Sequence, residues 1–273
     1  MTPAITTSPP MHAPAMVVCD MDGTLLGADG RVSARNAQAL ARAAEAGARV
    51  VIATGRPVYN LAPVVDIGFT GLAVCMNGAV IYDIAAGQVR SATMLQPPVM
   101  QSFVGDIAGL GWTFALAVER AIDTERDFWA ENAYAHPWED VELQWATRAE
   151  LMTGPAVKMY VRYGERSTDV LGTVREVAAE RVTVTDSSGD GLIEVAAAGV
   201  TKGAVLATLA ADWGVDAADV VAFGDMPNDI EMLAWAGRSV AMCNAHPDVL
   251  AVASEVGGHH AADGVAEVLE RWF

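Results

Sequence analysis

The chain is 273 residues long, and 17 Lys+Arg against 34 Asp+Glu leave a formal net charge of −17. A hydrophobic share of 52% with 19% charged residues excludes a disordered chain, and no uninterrupted apolar run reaches the roughly 18 residues of a membrane span. The acidic balance argues against nucleic acid and anionic membrane surfaces as main partners, since both need clustered Lys and Arg; it leaves room for a small anionic ligand held by local cations or a metal.

Residues 1–15 carry Pro3, Pro9, Pro10 and Pro14, with neither a charged n-region nor an apolar h-region, and are expected to form a flexible tail. Met16–Cys19 is a short apolar run that ends in Asp20 and reads as a buried strand. Ser33 can cap a helix that stops at Gly47. Arg49–Ala53 and Leu72–Met76 are further apolar runs, broken at Thr54-Gly55-Arg56-Pro57 and Asn77-Gly78. This alternation predicts βαβ units and a parallel sheet. The middle of the chain changes rhythm. Ala79–Tyr82 and Gln88–Met94 flank a turn and predict a hairpin. Strands are expected over 113–118, 157–163, 181–185 and 192–195, with helices near 98–109 and 168–179. Ten of the eighteen aromatic residues lie between 84 and 193, which suggests a unit with its own core. After Gly199 the first rhythm returns: helix 202–213, strand 220–223, helix 228–236, strand 239–242, helix 247–253 and a last helix from Asp263. The expected fold is α/β: a doubly wound, mostly parallel, Rossmann-like sheet over 16–83 and 194–273, with an α+β cap inserted at 84–193. In such sheets ligands sit beyond the carboxyl ends of the strands.

Four groups fall in that region. In Asp20-Met21-Asp22-Gly23-Thr24, a buried strand ends in one carboxylate and presents another two residues on. Two like charges this close raise each other's pKa unless a cation lies between them, and Mg²⁺, which takes one or two carboxylates plus phosphate oxygens, is the natural partner. Asp20 can serve as a nucleophile toward phosphorus, Asp22 as general acid and base. Gly23 permits the sharp turn and Thr24 can tie the loop down. Thr54 and Gly55 end a strand with a hydroxyl and backbone N–H groups suited to an anion, although a plain helix cap explains them as well. Lys202 is one of only two lysines in the chain and suits a phosphate oxygen and the nucleophile's carboxylate. Lys158, the other, lies in mid-strand and reads as structural. Finally, Asp225-Met226-Pro227-Asn228-Asp229 follows a buried strand; Asp225 can complete a metal site, with Asn228 and Asp229 orienting its neighbours. Cys19, Cys75 and Cys243 form no disulfide framework or metal knuckle and read as reduced thiols of a cytoplasmic protein. His12 and His136 lack ligand-spaced partners, and the pair His259-His260, which follows Gly257-Gly258, reads as an exposed loop and not a metal site.

In this order, DMDGTLL at 20–26, ATGRP at 53–57, GVTKG at 199–203 and GDMPND at 224–229 resemble the four motifs of the haloacid dehalogenase-like hydrolase superfamily, most of all its Cof-type branch with a large inserted cap. MNGAVI at 76–81, LIEVAAAGVTKGAVL at 192–206 and VAMCNAHPDV at 240–249 also look like this branch. The resemblance implies a Mg²⁺-dependent phosphatase acting on a small phosphorylated metabolite, a sugar phosphate or a phosphorylated cofactor, through an aspartyl-phosphate. By the same resemblance Asp20 is the nucleophile and Asp22 the acid/base. Thr54, Gly55, Lys202 and Asn228 hold phosphate. Asp20, the backbone carbonyl of Asp22, and Asp225 bind the metal, and Thr24 and Asp229 support them. The cap excludes water and sets specificity. Cys243 stands where the resemblance expects glycine. A phosphomutase of the phosphomannomutase kind and a catalytically silent phosphometabolite-binding module are the alternatives. Isomer formation from hexose phosphates separates the first from a hydrolase, and a missing nucleophile or metal ligand would mark the second. No nucleic-acid, membrane or protein partner is implied.

Overall fold

The structure, a computed structural model, describes residues 12–135, 143–163, 170–185 and 192–273. In chain order the first elements are β1 (Met16–Cys19), α1 (Ala34–Glu45), β2 (Arg49–Ala53), the short α2 (Ala62–Val65), β3 (Leu72–Cys75), β4 (Val80–Asp83), β5 (Gln88–Ala92) and α3 (Pro97–Ala108). Next come β6 (Phe114–Glu119), β7 (Phe128–Ala130), β8 (Gln144–Trp145), α4 (Arg148–Leu151), β9 (Lys158–Tyr163), α5 (Val170–Ala178), β10 (Val182–Thr185) and β11 (Leu192–Ala197). The chain closes with α6 (Lys202–Asp212), β12 (Val220–Gly224), α7 (Ile230–Trp235), β13 (Arg238–Ala241), α8 (Pro247–Val252), β14 (Glu255–Val256) and α9 (Gly264–Leu269). These strands form an eight-stranded sheet, β14-β13-β12-β1-β2-β3-β4-β5, and a six-stranded sheet, β10-β11-β9-β6-β7-β8.

The larger sheet is parallel except for β4 and β5. Its strands alternate faces, as extended chains must. Val17, Cys19, Val50, Ile52, Val221 and Phe223 pack under α1 and α9. Met16, Val18, Val51, Ala53 and Ala222 pack under α6, α7 and α8. The chain leaves β1 toward β2 and β3 on one side and returns as β12, β13 and β14 on the other, so a crevice opens at the carboxyl ends of β1 and β12. The smaller sheet is mostly antiparallel. One of its faces, through Leu116, Met159, Val161 and Val195, carries α3 and α5. The other holds Ala115, Ala117, Phe128, Tyr160 and Leu192.

Hydrogen bonding moves the expected boundaries. β5 pairs with β4 and extends the larger sheet, while β11 runs to Ala197 within the smaller one. The crossings between sheets therefore fall near 93–96 and 198–201, not at 84 and 193. The turn at Ala85-Ala86-Gly87 closes a hairpin and not a domain, and β11 meets no turn residue before Gly199, whose φ is +75°. The expected tail is also shorter than residues 1–15. Ala15 N donates to Asp219 O and Ala15 O accepts from Arg49 N, which stitches it to the sheet. His12 Nε2 lies 2.7 Å from Asp219 Oδ1. The rest of that tail and His136 lie outside the described residues. Among those residues, no helix is long and apolar enough to cross a membrane.

Candidate active site

β1 and β12 run in register, Cys19 beside Phe223, and Asp20 N donates to Phe223 O, so Asp20 and Asp225 emerge together at the sheet's carboxyl edge. Both are buried, as are Asp229 and Lys202. Lys202, the first residue of α6, puts Nζ 2.6 Å from Asp20 Oδ1 and 2.7 Å from Asp229 Oδ1. Asp229 Oδ2 accepts the backbone N–H groups of Asp225 and Met226, at 3.0 and 3.1 Å. This tight turn needs Gly224, where a Cβ would meet the Asp229 side chain at 2.6 Å. Thr24 Oγ1 donates to Asp225 Oδ1 at 3.0 Å, and Asn244 Nδ2 holds Gly23 O at 2.8 Å.

Carboxylate oxygens of Asp20, Asp225 and Asp229 lie within 4.8 Å of one another. Three carboxylates against one buried ammonium leave two negative charges, which suits a divalent cation. Both Asp229 oxygens are already engaged by Lys202 and backbone donors. Asp20 Oδ2 and Asp225 Oδ2 have no protein donor among the described residues, so these two carboxylates fit a hard, oxygen-seeking ion such as Mg²⁺. Burial pushes the Asp225 carboxyl up to about 6, with the Asp229 charge adding to it. Burial raises Asp20 as well; Lys202 opposes that shift, and the neighbouring aspartates reinforce it. The two aspartates hold the Lys202 ammonium protonated against its burial.

Asp22 stands apart. Its carboxylate, 59% exposed, is gripped at both oxygens by the Arg56 guanidinium, at 2.6 and 2.7 Å, and is not part of the acidic cluster. Thr54 is buried at the end of β2, one residue past the position opposite Asp20, and its hydroxyl accepts the Arg56 N–H at 3.1 Å. Asn228 Nδ2 donates one of its two N–H groups to Asn77 Oδ1 at 3.0 Å, which orients the amide and leaves the second N–H for a phosphate contact. Cys243 is exposed. The two adjacent histidines stack with centroids 4.6 Å apart, and His260 Nδ1 lies 2.7 Å from Leu26 O.

The sequence assigns no role at the site to the groups that reach the crevice from the smaller sheet. Along β9 the residues Lys158 and Tyr160, and across from them Glu119 and Glu194, share the face away from α3 and α5. Lys158 Nζ lies 3.1 Å from Gly55 O and 3.1 Å from Glu194 Oε1. Asn77 Nδ2 donates to Glu194 Oε2 at 2.8 Å, and Tyr59 Oη to Glu119 Oε2 at 2.5 Å. The scarcity of lysine marks Lys158 out in the sequence, but its place in mid-strand reads there as structural.

The family model described as haloacid dehalogenase-like hydrolase matches residues 17–269. The chain is 30% identical over 258 residues to an "HMP-PP phosphatase" of Serratia proteamaculans, covering 93% of each chain. It is 27% identical over 264 residues to the "5-amino-6-(5-phospho-D-ribitylamino)uracil phosphatase YcsE" of Bacillus subtilis, covering 94% of this chain and 95% of that one. A protein of Arabidopsis thaliana named "Endoribonuclease YBEY, chloroplastic" is 26% identical over 270 residues, and this chain spans only 46% of its length. A solved haloacid dehalogenase-like hydrolase from Bacteroides thetaiotaomicron superposes with a TM-score of 0.74 at 25% identity, over 95% of this chain and 100% of that one. With its motifs gathered at one sheet edge and a model match spanning nearly the whole chain, this protein belongs to the haloacid dehalogenase-like hydrolase family, in its Cof-type branch.

Proposed function

We propose that this enzyme, a phosphoric monoester hydrolase, is a Mg²⁺-dependent phosphatase that removes phosphate from a small phosphorylated metabolite through an aspartyl-phosphate on Asp20. The observation that carries this reading is the buried contact of Lys202 with Asp20, 2.6 Å long, beside Asp225. A carboxylate buried without function would be expected to take a proton; here an ammonium favours its ionised, nucleophilic form.

Asp20 attacks phosphorus and the ester oxygen departs. Asp22, released from Arg56 and protonated, gives that oxygen its proton, then takes one from the water that hydrolyses the acyl phosphate, which restores its acid form and frees the Asp20 carboxylate. Lys202, the Thr54 hydroxyl and the Gly55 N–H face the transferring group's negative oxygens. Asp20 and Asp225 would hold Mg²⁺, which when bound would supply positive charge against a phosphate dianion. The smaller sheet covers the crevice and excludes bulk water. Relatives named as phosphatases of small phosphorylated compounds support that substrate class.

The test is phosphate release from p-nitrophenyl phosphate and from a panel of sugar phosphates and phosphorylated cofactors. Turnover is expected with Mg²⁺, to vanish in EDTA and return when Mg²⁺ is restored. Asp20→Asn should fold normally and be inactive. Full activity in chelator would overturn the metal assignment, and an active Asp20→Asn enzyme the nucleophile.

A further inference from the structure

Lys158 sits on the smaller sheet, yet its ammonium is fully buried against the larger one. It donates to the Gly55 carbonyl at 3.1 Å and is balanced by Glu194 Oε1 at the same distance. The peptide whose carbonyl it binds is the one whose N–H, on Arg56, donates to Thr54 Oγ1 at 3.1 Å. A hydroxyl that accepts from a fixed donor has its own proton left to give. The Thr54 proton has no acceptor among the described residues, and Thr54 stands one residue past the position beside Asp20. A cation on a peptide carbonyl polarises that peptide and strengthens its N–H as a donor.

Resting on the reading of Thr54 as a phosphate holder, we infer that Lys158 is a positioning residue of the cap: through the Gly55–Arg56 peptide it sets the Thr54 hydroxyl to donate toward the phosphate. Glu194, itself held by Asn77, aims the lysine. The phosphate loop then reaches full donor strength only when the cap sheet lies against it, which links closure to chemistry without any cap side chain touching the reacting atoms.

The experiment measures p-nitrophenyl phosphate hydrolysis with Mg²⁺, and inhibition by inorganic phosphate, for Lys158→Met alone and combined with Glu194→Gln. The single variant leaves Glu194 buried without its cation, a state that can unfold the cap; the combined variant removes both charges and keeps the test open. Expected is a folded enzyme whose kcat/KM falls by about tenfold to a hundredfold, carried mainly by kcat, with weaker phosphate inhibition. In a Thr54→Val background the same substitutions should cost less than about twofold more, because the hydroxyl they act through is gone. Wild-type kinetics in the folded combined variant would overturn the proposal, as would a loss that adds in full to that of Thr54→Val. An Asp20→Asn enzyme that retains its rate would instead overturn the reading of the whole site, and this relay with it.

Discussion

At Gly23 the backbone turns with φ +74°, and a Cβ built there would lie 2.1 Å from Asp225 Oδ2. Two penalties coincide: a left-handed conformation that side-chain residues adopt reluctantly, and a collision with an oxygen assigned to the metal. Gly23→Ala is therefore expected to lower kcat/KM by at least about a hundredfold and to raise the Mg²⁺ concentration needed for half activity. A Mg²⁺ titration of steady-state rates reads both, and an unchanged metal requirement would contradict the close packing of these two loops. Residues of this kind are legible from sequence because their oddity is local. A strand that ends in doubled acids stands out, as does a lone lysine beside a helix start. The hold of Arg56 on Asp22 is not legible, because it depends on where two separate loops point. Nor are Asn77 and Glu194, which meet across 117 positions of sequence. Asp22 is the instructive case: its residue type and spacing suit an acid/base, while its resting partner emerges only when β1 and β2 lie side by side.

Among the elements, α9 starts badly by local criteria. The residue before it, Asp263, has φ +60° and makes no side-chain capping bond. Asn36, fully buried on α1, supplies the missing acceptor: its Oδ1 takes Ala266 N at 3.0 Å, while its Nδ2 donates to Leu25 O at 3.1 Å. One amide thus caps α9 from another helix and anchors the loop that follows Asp20. Asn36→Ala strands a donor and an acceptor in the interior and is expected to cost about 2–4 kcal/mol. Thermal denaturation should show a fall of roughly 5–15 °C, and an unchanged Tm would mean that the cap on α9 contributes nothing. Long elements with a clear period were readable from the chain, α1 from its Ser33 cap and β1, β2 and β12 from unbroken apolar runs. β7, β8 and β14, of two or three residues each, were not, since a run that short shows no periodicity. Sheet membership was the other failure. A hairpin reads the same whether it extends a parent sheet or begins a new domain, and only its partner strand decides.

For the whole molecule, the acidic cluster ties stability to pH and to metal. Asp225, pushed up to about 6 by burial and by the Asp229 charge, binds a proton more tightly folded than unfolded. A carboxyl with a raised folded pKa favours the native state below its unfolded value, near 4, and that contribution is lost as pH rises through about 6. Burial shifts Asp20 in the same direction. Without metal, then, the ionised Asp225 carboxylate strains the fold most at neutral and higher pH. A divalent ion relieves the same strain and competes with the same protons. Mg²⁺ at about a hundredfold excess over its Kd is expected to stabilise by about 2.7 kcal/mol, which raises Tm by roughly 5–10 °C. The increase should be largest near pH 7.5 and should shrink toward pH 5, as protons occupy the oxygens the ion needs. Asp225→Asn removes both the pH step and most of the metal effect. Calorimetric scans at the two pH values, with Mg²⁺ or with EDTA, make the comparison. A metal effect of equal size at both pH values, or one that survives Asp225→Asn, would place the ion's ligands somewhere other than the edge between β1 and β12.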